Sequence, residues 1–125
     1  MTVPYNATIL DHFRRPRHYG ALPSPDVVYE DVNPLCGDRI RMELQIGAEQ
    51  IIVAARFRGD SCIISRAAAS ILTEFVQGRP LREVEALSQD DFLASLNSAI
   101  RPARMTCALL PLDVLQGGIR TYFAS

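Results

Sequence analysis

The rhythm of hydrophobic and polar positions turns from strand-like to helical near residue 60. From residue 26 to that point the period is two. Ile40, Met42, Leu44 and Ile46 alternate with Arg39, Arg41, Glu43 and Gln45, so residues 39–46 predict a strand with one buried and one wet face. Residues 51–58 repeat the alternation, with Ile51, Val53, Ala55 and Phe57 on the inner face. Gly47 to Gln50 supply a four-residue turn, and together the two segments predict a hairpin. Residues 26–32 read as a weaker strand. From residue 62 the period is helical: Ile64, Ala68, Ile71, Leu72 and Phe75 fall on one side, closed by Gly78 and Pro80. Pro80 to Leu87 predicts a short helix. Ser88, with Asp91 three residues later, reads as a capping box for another helix carrying Phe92, Leu93 and Leu96. A last helical region covers about 102–123, weakened by Pro111 and Gly117-Gly118. The Pro111 ring would oppose the carbonyl of Cys107, which predicts a break or kink between 107 and 112. At the other end, Tyr5, Ile9, Leu10 and Phe13 predict a helix over 5–13 that stops before Pro16, followed by an irregular arm over 14–25. Strands first and helices after predict an α+β fold: a small three-stranded antiparallel sheet with helices packed mainly on one face.

A chain of 125 residues predicts one domain, 1–125, able to bury a core without disulfide staples. Hydrophobic residues are 48% and charged residues 22%, which excludes collagen-like and fully disordered chains. A net charge of −1 argues against a nucleic-acid partner. No run of about 18 apolar residues exists to span a membrane. The first residues lack the basic-then-apolar order of a secretory signal, so a cytoplasmic location is expected. All 13 basic residues are Arg, which rules out a lysine nucleophile, a Schiff base or a phosphate-loop lysine. Three cysteines are an odd number without paired spacing. In a reducing compartment they are thiols available for metal or chemistry.

The hairpin gives these thiols a geometry. If the turn sets the register, residue 46 faces 51, 40 faces 57 and 38 faces 59. Cys36 and Asp38 then sit just before one strand, and Cys62 just after its partner, at the same end of the sheet. Only Cys107 has to be delivered by the tertiary fold. Gly37 lets the loop turn so that both of its neighbours can face one point. Asp60 or Ser61 is the expected N-cap, which puts Cys62 in the first helical turn, where the helix dipole favours a thiolate. Arg104, three residues before Cys107, would share its helical face. Three thiolates and a carboxylate suit tetrahedral zinc or an iron–sulfur cluster. The same residues also read as small buried hydrophobes, or as a thiolate nucleophile site, although no catalytic base is evident beside it. His12 and His18 read as surface residues or partners of a neighbour. Arg14, Arg15 and Arg17 beside Tyr19 form a basic run, either solvated or a docking surface for an acidic protein.

Several motifs resemble those of one family. Asp11-His12-Phe13 with Pro16-Arg17 and Gly20 resembles an N-terminal signature. Asn33-Pro34-Leu35-Cys36-Gly37-Asp38 resembles a first ligand loop, and Gly59-Asp60-Ser61-Cys62-Ile63-Ile64-Ser65 with Ala67, Ala69 and Ser70 a second. Arg104-Met105-Thr106-Cys107-Ala108 resembles a third. In this order, over nearly the whole chain, they are similar to the iron–sulfur cluster assembly scaffolds of the IscU, SufU and N-terminal NifU group. The resemblance implies a pocket of Cys36, Asp38, Cys62 and Cys107 that holds zinc or a transient 2Fe-2S cluster. It implies sulfur supplied as persulfide by a cysteine desulfurase, a pyridoxal-phosphate enzyme, and delivery of the cluster to apo iron–sulfur acceptor proteins. Cys107 is the implied persulfide acceptor of IscU-like members and Cys36 that of SufU-like members. The main expectation is a non-enzymatic scaffold, and the alternative is a SufU-type zinc-dependent sulfurtransferase. Thr106 stands where IscU-like members have His, as in the SufU type. The interval between the second and third cysteines is short, as in IscU. Ile100-Arg101-Pro102-Ala103-Arg104 replaces the IscU chaperone site.

Overall fold

Alternation in the first half and helical periodicity in the second produce the expected α+β architecture. The computed structural model describes residues 6–34, 37–96 and 100–125. Among them, β1 (Val27–Val32), β2 (Arg39–Ile46) and β3 (Ile52–Arg58) form one antiparallel sheet in the order β1-β2-β3. The helices are α1 (Ala7–Arg14), α2 (Ile63–Val76), α3 (Leu81–Glu85), α4 (Gln89–Ser95) and α5 (Met105–Ala124). Ile40, Met42, Leu44, Ala55 and Phe57 are buried together with Ile64, Leu72, Leu112 and Ile119 of α2 and α5. No helix among the described residues is long and apolar enough to cross a membrane.

The hairpin is where alternation misreads the chain. The turn is longer than four residues, because a 3-10 turn, Ala48–Gln50, occupies it. Met42 faces Phe57 and Leu44 faces Ala55, while Ile46 faces Ile52 across a register shift. Residue 57 therefore faces 42 rather than 40. The bulge adds one residue to β3, and one residue inverts the parity of a strand. Ile52, not Ile51, enters the core, and Val53 is 53% exposed. Beyond the bulge Ala55 and Phe57 are inside as expected.

Local caps set the helix limits. Asn6 caps α1 by accepting from the Ile9 amide, and Ser88 caps α4 by accepting from that of Asp91. The expected break in the last helix is absent: α5 runs unbroken from Met105 to Ala124 with Pro111 inside it. Gly117 and Gly118 do not fray it either. A Cβ on Gly117 would lie 2.9 Å from the Tyr29 ring, and one on Gly118 would lie 3.0 Å from Tyr29 Cβ and 3.1 Å from Val27 Cγ1. The two glycines let α5 lie directly on β1.

The arm after α1 runs beside β3. The Phe57 amide donates to the His18 carbonyl, and the Gly20 amide donates to that of Phe57. Farther on, the Leu22 amide donates to Oε1 of Glu43, a carboxylate on the outer side of β2 that is 2% exposed. Burial works to raise the pKa of Glu43. The hydrogen bonds from Arg41 and Leu22, with the charges of Arg41 and Arg58, outweigh it and hold the group below its ordinary value.

Candidate metal centre

The ladder between β2 and β3 continues past both strands. The Arg39 amide donates to the Asp60 carbonyl at 2.8 Å. Gly59 makes this approach possible: its φ is +148°, and a Cβ there would lie 2.0 Å from the Arg39 carbonyl oxygen. Asp38 and Cys62 are thus held together by backbone pairing, as the hairpin argument expects, although the register differs. The contact is direct, since the Cys62 amide donates to Asp38 Oδ1 at 3.0 Å. Cys62 is itself the N-cap of α2 rather than a first-turn residue, so neither Asp60 nor Ser61 is the cap. The Asp38 carboxylate, next to β2, takes the amide of the N-cap residue, the donor that the third-position carboxylate of a capping box would serve.

Helix α5 delivers Cys107. The ligand atoms of Asp38, Cys62 and Cys107 all lie within 4.8 Å of one another. Asp38 is 6% exposed and Cys107 2%, while Cys62 is half-buried. Zn–S bonds of about 2.3 Å set tetrahedral ligand edges near 3.8 Å, so closing on a metal needs only about an ångström of side-chain movement. Two thiols and one carboxylate, from three separate segments, are a donor set that suits zinc or an iron–sulfur cluster. Cys36, the fourth expected ligand, lies outside the described residues.

Ser65 is fully buried beneath this group. Its Oγ is 2.7 Å from the Cys107 carbonyl oxygen and 2.9 Å from Asp38 Oδ2, and the Cys62 thiol reaches it at 3.8 Å. This meets one part of the Pro111 problem, the missing amide. Proline has no amide to give the carbonyl four residues back, and the Ser65 hydroxyl serves that carbonyl instead. Sequence reading missed Ser65 except as part of a resemblance. The available signal is a serine three residues after Cys62, paired with a proline four residues after Cys107. A second tie joins the loops: the buried Asn33 donates from Nδ2 to Thr106 Oγ1 at 3.2 Å.

The remaining sequence candidates are Arg104, the two histidines and the basic run. Arg104 ends a 3-10 turn, Pro102–Arg104, and is exposed. His12 Nδ1 meets Ser70 Oγ at 2.7 Å and its Nε2 lies 3.5 Å from Glu74, while His18 Nδ1 meets Thr73 Oγ1 at 3.3 Å. Both histidines therefore fasten the N-terminal segment to α2. Arg15 and Arg17 of the basic run pair with Asp11. Arg66, one turn beyond Cys62, lies over the Tyr19 ring at 4.9 Å and the Phe13 ring at 5.9 Å.

Residues 4–125 match the NifU-like N-terminal domain model. The iron–sulfur cluster assembly scaffold protein IscU of Azotobacter vinelandii is 31% identical over 121 residues, covering 94% of this chain and 93% of the relative. The zinc-dependent sulfurtransferase SufU of Bacillus subtilis is 30% identical over 132 residues, covering 92% and 88%. In fold, the N-terminal part of a nitrogen-fixing NifU-like protein from Brucella abortus superposes with a TM-score of 0.79 at 21% identity, covering 98% of this chain and 96% of that one. With the match running from the N-terminal helix through Cys107 to the end of α5, the chain belongs to the NifU-like N-terminal domain family.

Proposed function

We propose that this protein is an iron–sulfur cluster assembly scaffold. A labile 2Fe-2S cluster is the cargo, built on Cys36, Asp38, Cys62 and Cys107 from iron and desulfurase-derived sulfur and passed to apo-proteins. The observation that carries the reading is the convergence of Asp38, Cys62 and Cys107 within 4.8 Å from three segments far apart in sequence. Three thiolates supply strong, soft ligands, and the carboxylate supplies one hard, weakly held corner through which cargo can leave. Burial of Asp38 and Cys107 keeps bulk water off that side, while half-buried Cys62 marks the open side. The partners in this reading are a cysteine desulfurase and apo iron–sulfur acceptors, and a reducing cytoplasm keeps the thiols available.

Thr106, where IscU-like members have His, favours a second reading as a SufU-type zinc-dependent sulfur acceptor. Here a thiolate of Cys36 or Cys107 attacks the outer sulfur of the desulfurase persulfide. The old S–S bond breaks, the desulfurase thiolate leaves with the electron pair, and the persulfide now sits on this chain. No external oxidant or reductant is required. Zinc, when bound, lowers the thiol pKa and so supplies the thiolate.

Native mass spectrometry separates the two. Anaerobic protein is incubated with ferrous iron, cysteine, a desulfurase and a thiol reductant. A gain of two irons and two sulfides, lost in Cys36→Ala, supports the scaffold. Retained zinc with a single added sulfur supports the sulfur acceptor and overturns the scaffold reading.

A further inference from the structure

The sequence offers the basic run beside Tyr19 as a docking surface for an acidic protein. The structure uses that run differently. Arg15 and Arg17 are both paired with Asp11. Tyr19 is joined instead by Arg66, whose guanidinium carbon lies 4.9 Å from the Tyr19 ring centre and 5.9 Å from that of Phe13. Among the described residues this guanidinium makes no ion pair, and its Nε is buried with no hydrogen-bond partner. A cation drawn partly out of water with no carboxylate beside it is unfavourable in the isolated chain. The two rings offset part of this and hold the side chain in place, but they bring no negative charge. The arginines that line a cleft with Tyr19 are already answered. Arg39 pairs with Glu30 at 3.2 Å, Arg41 with Glu43 at 2.8 Å, and Arg58 lies 4.0 Å from Glu43.

The surroundings of Arg66 have the composition of a binding hot spot, an Arg and a Tyr with an apolar neighbour. Four large hydrophobic residues are exposed among the described residues, and two of them border Arg66: Tyr19 at 46% and Ile63 at 36%. Ile63 stands three residues before Arg66 on α2, on the same side of the helix. Tyr19 is fixed by an edge-on contact with Phe57, their ring centres 5.2 Å apart. The patch therefore needs little ordering to bind. It adjoins the metal centre, since Ile63 follows Cys62 and Arg66 lies one turn beyond it.

We propose that Arg66, Tyr19 and Ile63 form a contact by which this protein docks its cysteine desulfurase, with Arg66 taking a carboxylate that the desulfurase presents beside an apolar side chain. The inference rests on the proposed function, in which the desulfurase is the partner that the scaffold and sulfur-acceptor readings share. Half-buried Cys62 marks the open side of the site, so a donor bringing sulfur to it arrives over this patch. Arg66 binds no metal and takes no part in the transfer; it seats the donor. On docking, the carboxylate supplies the charge that Arg66 lacks, and exclusion of water around Tyr19 and Ile63 strengthens the pair.

The test measures binding of the desulfurase from the same source by isothermal titration calorimetry, beside thermal melts of the free chain. Arg66→Met keeps a straight apolar stem against Phe13 and Tyr19 and removes the charge. It should weaken binding about thirtyfold, the loss expected of a hot-spot residue. Its Tm should be unchanged or raised, because an unmet charge has gone. Arg66→Lys, which keeps the charge but not the planar fork, should bind with intermediate affinity. Raising ionic strength should weaken the parent complex more steeply than that of Arg66→Met. Arg82→Glu is the control for net charge. It lies on α3, whose leading Pro80 pairs with Ile51 at the hairpin-turn end of the sheet. It should change affinity by less than about threefold, since a charge outside the contact acts only through steering. Equal affinity of the parent and Arg66→Met overturns the proposal and leaves the functional reading standing. So does an equal loss in Arg82→Glu. Affinity losses that follow Tm losses across the two Arg66 variants also overturn it, because Arg66 is then a structural brace. A parent that does not bind the desulfurase overturns the functional reading, and the proposal with it.

Discussion

Replacing Gly59 with alanine places a methyl group 2.0 Å from the Arg39 carbonyl oxygen, 2.9 Å from its carbon and 3.2 Å from Ile40 Cα. All three are backbone atoms of β2, so no side chain can swing aside. The φ of +148° adds strain for any L residue, about 1–3 kcal/mol. The clash is relieved only if the two segments part. That opens the Arg39–Asp60 hydrogen bond, worth about 1 kcal/mol, and the Cys62 amide bond to the Asp38 carboxylate, worth about 1.5–3 kcal/mol. The total is about 4–7 kcal/mol, against a whole-domain stability of about 5–15 kcal/mol. At this chain length each kcal/mol moves Tm by roughly 4 °C, so a fall of about 15 °C or more is expected. Gly20→Ala is the internal control. Its φ of +134° carries comparable strain, but nothing lies within 4 Å of the new methyl group, so its loss should stay near 4–12 °C. Thermal melts by circular dichroism, with cobalt binding measured on each variant, give both numbers. Equal Tm losses for the two variants would refute the claim that close backbone approach at Gly59 holds Asp38 against Cys62.

Asp38→Ala removes the hard corner of the ligand set and should lengthen the life of a bound cluster; transfer to an apo acceptor as fast as in the parent would sink that role. The same change loses the acceptor for the Cys62 amide and should cost about 2–3 kcal/mol in urea unfolding of the metal-free chain. Stability should also fall on acidification. Burial first, then the charge of Arg17 on His12 and of Arg56 on His18, push both histidines below their ordinary pKa, against the opposing pull of Glu74. Between the folded-state values and about 6.5 the unfolded chain binds more protons, so stability is complete above that window and drops as pH descends through it. Urea midpoints that stay flat from about pH 7.5 to 5 would contradict this linkage. At the bulge, Ile52→Ala should cost about 2–5 kcal/mol while Val53→Thr stays within about 0.5, the reverse of what strict alternation implies.

Much of the architecture is legible in local pattern. The alternation of β2, the periodicity of α2 and the Ser88 cap each depend on residues within a few positions of one another, so neighbours alone determine them. The meeting of Asp38 and Cys62 is legible too, since antiparallel pairing brings the flanks of a hairpin together in any register near the true one. A register error of two leaves both residues at the same end of the sheet. The bulge is less forgiving, because one added residue inverts a strand and no local signal distinguishes Val53 from Ile52.

The tertiary structure decided what lies between segments. Cys62 caps α2 because the Asp38 carboxylate arrives from β2 to take its amide. α5 runs unbroken through Pro111, and the Ser65 hydroxyl, 42 residues before Cys107, serves the carbonyl the proline cannot. Gly117 and Gly118 are needed because Tyr29 lies against them. Each of these residues looks unfavourable when judged by its neighbours in sequence. Their partners lie on other elements, and a hydrogen bond or close contact across the core exists only after the chain has brought those elements together.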